Sequence, residues 1–200
     1  MNIILYRHLP TKNNLNNTFI GRLDLDCDGQ YIDEHRSEIR TKMDSQVLTH
    51  LYCSPLKRAQ QSANLYFPNL RYAIDRRLIE RDLGDWRNIP KQCVREKYPL
   101  AFFSSGNLDF NYIPPNGESF DCVLKRVSSF LLDVIDNHDQ KDRIGVITHN
   151  GIITAVKCLQ KHSSSTENIK FQPFLTSYEV EITSKFITFL NECFSTFAIF

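Results

Sequence analysis

The sequence predicts an α/β chain, a three-layer α/β/α sandwich around a mostly parallel sheet. Three observations predict it. Short apolar runs recur along the chain, several of them near-continuous, as strands buried on both faces require. Helical patterns lie between them; Phe120, Val123, Leu124, Val127, Leu131 and Val134 repeat at three- and four-residue spacing. Polar residues close three of the runs, and in such sheets ligands bind beyond the carboxyl ends of the strands.

The first strand covers residues 2–6, "NIILY", and delivers Arg7 and His8 side by side into a polar loop. Arg22 follows in "IGRLDLD". A second strand at 48–53 ends at Cys53-Ser54, and a helix over 57–65 places Arg58 in its first turn. After a third strand at 71–74 comes "RRLIERDLGDW", which offers Glu80, Asp82 and Asp85. Residues 88–115 hold four of the eight prolines and read as a short helix plus a long loop, a lid over one end of the sheet. The long amphipathic helix starts near Asn116. A strand at 143–148 ends at His149 and leads into a helix over 152–159; a last strand at 178–182 has a candidate hairpin partner at 186–190. Nothing divides the 200 residues, so one domain over 1–200 is expected.

Composition narrows the function. With 24 basic and 23 acidic residues and a net charge of +1, no nucleic-acid or membrane surface is implied. A basic pocket for a small anion fits inside that neutral total. The six cysteines are scattered without a CxxC, which reads as reduced thiols in a cytoplasmic protein. No metal and no organic cofactor is expected, and the chain is expected as a monomer or a homodimer. No secretory leader pattern opens it.

The residue types at the strand exits suit phosphoryl chemistry. Arginine forks match phosphate oxygens, and a helix N-terminus adds backbone donors. One neutral imidazole can attack phosphorus and another can spread transition-state charge. A carboxyl group must then protonate the leaving alcohol and activate water; Glu80, Asp82 and Asp85 are the candidates.

Together these residues resemble the histidine phosphatases of the phosphoglycerate mutase-like superfamily, over nearly the whole chain. That family's Arg-His-Gly, then Thr and Asn, corresponds to Arg7, His8, Thr11 and Asn14. Its second motif reads "SPLKRAQQSA", giving Arg58; its third reads "LIERDLGDW", selecting Glu80; Gly117-Glu118-Ser119 and "VITHNG" complete the set, the last giving His149. The resemblance implies His8 as nucleophile, Glu80 as acid and base, and Arg7, Arg58 and His149 around the phosphoryl group. Asn14, Arg22 and Trp86 are its candidate substrate-binding residues. Leu9 followed by Pro10 departs from the family glycine, whose backbone reaches angles closed to leucine.

The resemblance further implies a metal-independent phosphomonoester hydrolase with a small-molecule substrate. The short chain, "GDW" and "IPPNGESF" resemble the α-ribazole-5′-phosphate phosphatases of cobalamin synthesis. The alternatives are a broad sugar-phosphate or nucleotide phosphatase, a phosphoglycerate mutase and a non-catalytic phospholigand-binding module. Singly, each site residue has a plainer reading: Arg58 as a solvated helix charge, Trp86 as packing. Their joint order is what argues for function.

Overall fold

The computed structural model describes residues 1–44, 47–162 and 165–196. Five strands form one mixed sheet: β1 (Asn2–Arg7), β2 (His50–Cys53), β3 (Ala73–Ile74), β4 (Arg143–Thr148) and β5 (Ser177–Val180). Their order is β3-β2-β4-β1-β5; the first four run parallel and β5 runs antiparallel beside β1. Seven helices accompany them: α1 (Lys12–Leu15), α2 (Gly29–Asp44), α3 (Lys57–Tyr66), α4 (Lys91–Lys97), α5 (Phe120–Asn137), α6 (Asn150–Lys161) and α7 (Ser184–Thr196). None is long and apolar enough to cross a membrane.

Strand alternation distributes the core. Ile3 and Leu5 of β1 face α5, α6 and α7, while Ile4 and Tyr6 face α2 and α3, so both sides of the sheet are covered. A third apolar cluster lies outside these layers. Phe19, Leu83, Trp86, Val94 and Ala101 make it, with Tyr98, Phe102 and Tyr112 packed around them, and it gives the irregular segment its own small core.

The expected hairpin partner at 186–190 is corrected by the structure: those residues lie in α7. Phe186 and Leu190 are four residues apart and both buried, which is a helical stripe against α5. Helix α2 has no counterpart among the expected elements. It is largely exposed and charged, and of its first fifteen residues only Ile39 and Met43 are buried. The long helix begins at Phe120, with Ser119 as its cap accepting from the Cys122 amide at 3.2 Å.

Register brings the strand exits to one edge. Arg7 pairs with Thr148 and Cys53 with Ile147, and the amides of His8 and Ser54 continue the ladder to the Thr148 and Ile147 carbonyls. The residues that follow, His8, Ser54 and His149, therefore emerge together.

Candidate active site

His8 is buried on the floor of a cavity of about 800 Å³. Its Nδ1 lies 2.5 Å from the Leu9 carbonyl, and its Nε2 accepts from Arg58 Nε at 3.2 Å. A ring placed between an acceptor and a donor takes one tautomer: Nδ1 carries the proton and Nε2 keeps its lone pair. Burial, then the Arg58 and Arg7 charges, hold the His8 pKa well below the ordinary histidine value, so the ring is neutral.

Leu9 supplies that carbonyl although it stands where the family has glycine. It is not among the residues with positive φ, so an ordinary side chain costs no strain here. The Leu9 amide donates to Ser62 Oγ at 2.7 Å, and its side chain is fully buried in the core cluster between the sheet, α2 and α3.

Arg58, the second residue of α3, is locked from behind. Its Nη1 donates to the Leu23 carbonyl at 2.6 Å and its Nη2 to the Gly21 carbonyl at 2.9 Å, leaving Nε for the site. Arg7 donates from Nη1 to the Gln172 carbonyl at 2.9 Å, and its guanidinium lies over the Phe174 and Phe171 rings at 3.6 and 4.3 Å. Its Nε is buried without a protein partner. Burial pushes the Arg7 pKa down to about 9, the mark of a cation without enough anion around it.

His149 lies behind His8, with ring centroids 5.0 Å apart. Its Nε2 meets Ser54 Oγ at 2.7 Å while its buried Nδ1 has no partner. Burial and the Arg58 charge keep this ring neutral too.

Glu80 reaches the same cavity from the loop after β3. Its Oε1 accepts the Arg81 amide at 2.8 Å and its Oε2 the Gly151 amide at 3.3 Å, in the first turn of α6. Gly151 permits that approach, because a Cβ there would sit 2.3 Å from Glu80 Oε1. The loop itself is clasped by Glu118. That carboxylate pairs with Arg126 at 3.0 Å and Arg22 at 3.0 Å, and these arginines donate onward to the Ile79 and Glu80 carbonyls.

The structure thus gathers Arg7, His8, Asn14, Arg58 and Glu80 on one cavity wall, with His149 packed behind His8. Asn14 has Oδ1 facing the Thr11 amide and hydroxyl at 3.1 and 3.2 Å, so its amide nitrogen is what remains for a ligand. Two expected substrate contacts are placed elsewhere. Trp86 is 1% exposed, stacked between Phe19, Tyr98 and Tyr112, and does not line the cavity; its size makes it the center of the roof's core. Arg22 supports the Glu80 loop instead of lining the cavity.

Sequence reasoning missed Phe171, Phe174 and Lys91. Lys91 lines the cavity; its ammonium makes no hydrogen bond or ion pair among the described residues and lies 5.8 and 6.0 Å from the Phe19 and Phe171 rings, while burial, then Arg7 and Arg95, lowers its pKa. Its position eleven residues after Glu80 carried no signal of cavity exposure.

Comparison with known proteins agrees with this architecture. The sequence profile of the Histidine phosphatase superfamily (branch 1) matches residues 3–187, and the chain belongs to that superfamily. Within it the chain is phosphatase- and mutase-like. Phosphoglycerate mutase-like protein 4 of Arabidopsis thaliana is 31% identical over 159 residues, covering 77% of this chain and 68% of that protein. Putative phosphoserine phosphatase 2 of Hydrogenobacter thermophilus is 28% identical over 159 residues, covering 78% and 77%. The fold is shared with a putative α-ribazole-5′-P phosphatase from Escherichia coli, at TM-score 0.75 and 23% identity over 92% of each chain. A mycobacterial glucosyl-3-phosphoglycerate phosphatase gives 0.75 at 19% identity, over 89% of this chain and 88% of that one.

Proposed function

We propose that the protein is a metal-independent phosphomonoester hydrolase that works through a phosphohistidine on His8. The observation that carries this is the His8 ring: buried, neutral, and held by the Leu9 carbonyl in the tautomer whose Nε2 lone pair can attack. The Nε2 lone pair forms a bond to phosphorus as the bond to the ester oxygen breaks. Glu80, entering as the acid, gives its proton to the departing oxygen. Glu80 as carboxylate then takes a proton from water, whose oxygen attacks phosphorus, and orthophosphate leaves with His8 neutral again. The donors without protein partners, Arg7 Nε above all, are the ones available to phosphoryl oxygens.

Rapid quenching with a ³²P-labelled phosphomonoester tests the reading. An acid-labile, alkali-stable phosphoprotein should accumulate, and His8→Ala should abolish it together with turnover by at least about 10³-fold. A variant that keeps near-normal turnover overturns the covalent route.

For the substrate, the cavity supports an ester with a large apolar or aromatic body, such as α-ribazole 5′-phosphate. Phe19, Phe102 and Phe110 line it, and Phe171 lies against the Arg7 guanidinium. A second reading rests on Lys91, whose uncompensated ammonium in the same cavity favours a substrate with a further acid group, of the phosphoglycerate type. Comparing kcat/KM for α-ribazole 5′-phosphate, ribose 5-phosphate and 3-phosphoglycerate separates the two. No advantage of the first over ribose 5-phosphate removes the α-ribazole reading. The same panel reads out any mutase product.

A further inference from the structure

At the other end of the sheet, three side chains with metal-ligand atoms come together. His50 opens β2, His138 ends α5 and Asp142 precedes β4; one ligand atom from each lies within 4.8 Å of the others. The grouping is held by the fold: His50 pairs in register with Ile144 of β4, and the Asp139 amide donates to Asp142 Oδ2 at 2.9 Å across the turn.

The hydrogen bonds around the two rings prepare them as ligands. His50 Nδ1 lies 3.0 Å from Thr49 Oγ1. Thr49 Oγ1 lies 3.2 Å from the Arg143 carbonyl and accepts the Arg143 amide at 3.1 Å; in the tautomer that donates from Nδ1 to this oxygen, His50 Nε2 keeps its lone pair. His138 Nε2 lies 2.9 Å from the Tyr52 hydroxyl, and its Nδ1 lies 3.7 Å from Asp142 Oδ2, beyond hydrogen-bond length. In the tautomer that donates from Nε2 to the Tyr52 oxygen, Nδ1 is the free lone pair beside a carboxylate. A ring nitrogen bound to an oxygen acceptor while the other faces a metal is the usual arrangement of ligating histidines.

We propose that His50, His138 and Asp142 form a zinc site. Two imidazoles and one carboxylate suit Zn²⁺, whereas Mg²⁺ and Ca²⁺ take oxygen ligands. Tetrahedral bonds of about 2.0–2.1 Å set ligand atoms roughly 3.4 Å apart. His138 Nδ1 and Asp142 Oδ2 are close to that already, and the exposed His50 ring has the freedom to close the rest. The bound ion ties the start of β2 and the turn before β4 to the end of α5. Its role is structural: along β2 it sits roughly 13 Å from Ser54, four residues on, and it takes no part in the phosphoryl chemistry.

Calorimetric titration of the untagged protein with ZnCl₂, in phosphate-free buffer with vanadate saturating the cavity, tests the site. One zinc per chain should bind and raise the melting temperature. His50→Ala and Asp142→Asn should each weaken binding by at least about 100-fold, and Tyr52→Phe, which removes the acceptor orienting His138, by about 10-fold. His50 is exposed, so His50→Ala should keep the wild-type rate on p-nitrophenyl phosphate. A wild-type chain that binds no zinc overturns the site, as does zinc binding that survives unchanged in both His50→Ala and Asp142→Asn.

Discussion

On the cavity floor Arg58 commits both Nη groups to backbone carbonyls, Glu80 takes two amides, and His8 is fixed at both nitrogens. On the roof, the Lys91 ammonium has no hydrogen bond or ion pair among the described residues, and the aromatic residues meet one another through ring contacts. The floor is over-determined by hydrogen bonds, most of them to backbone groups; the roof is held by packing of Trp86 against its neighbours. Pre-set geometry serves charge that develops in one place, whereas a packed aromatic wall accommodates shape. Chemistry is therefore expected to depend on the floor and selectivity on the roof.

After loss of His8 itself, changing the floor carboxyl should have the largest effect. Glu80→Gln keeps the shape and removes the proton. The rate on alkyl phosphates should fall about 10²- to 10³-fold, and on p-nitrophenyl phosphate, whose leaving group needs little protonation, by less than about 10-fold. Steady-state kinetics on both substrates checks this. Equal losses would transfer the role to another carboxylate, Asp82 or Asp85.

A subtler change tests whether the floor works by placement. Gly151→Ala adds a Cβ 2.3 Å from Glu80 Oε1, so the flexible carboxylate must move. Alanine in a helix is better by about 0.5–1 kcal/mol than glycine, which offsets the crowding, and stability by denaturant melt should change little. Catalysis should fall about 10- to 100-fold, the cost of misplacing a reacting group by an ångström. An unchanged kcat would show that Glu80 does not need this position.

The floor was also the part legible in the sequence. Arg7, His8, Arg58, Glu80 and His149 sit at strand exits or in the short motifs that follow them, so local sequence sets their position. The roof was not legible in the same way. Trp86 reads equally as wall or core, and only the arrival of Phe19, Tyr98 and Tyr112 around it decides for core. Phe171 and Phe174 reach Arg7 from more than 160 residues away, which no local pattern reports. In the fold, all five strands coincide with expected runs, but β1 and β4 alone are apolar and buried throughout most of their length, while β3 is two exposed residues and β5 runs 177–180 instead of 178–182. Within α7, residues 186–190, "FITFL", are apolar and rich in β-formers and so resemble a strand; packing on α5 overrides that preference. Helix α2 lacks a strong apolar stripe and gave no periodic signal.

The smallest expected effect belongs to the roof itself. Phe102 lines the cavity, half-buried, with the Arg95 guanidinium 5.2 Å from its ring, and it joins the roof by pairing with Leu108. Phe102→Ala removes one face of the wall while leaving Trp86 and the floor in place. Binding energy from a remote substrate body is realised as kcat/KM. The variant should therefore lose about 3- to 10-fold in kcat/KM on α-ribazole 5′-phosphate, in line with one aromatic contact of about 1 kcal/mol. Vanadate, which occupies only the phosphate end, should inhibit with an unchanged constant. A parallel loss for vanadate would mean that the roof also shapes the floor, and the division between chemistry and selectivity would fail; no loss on any ester would exclude Phe102 as a substrate contact.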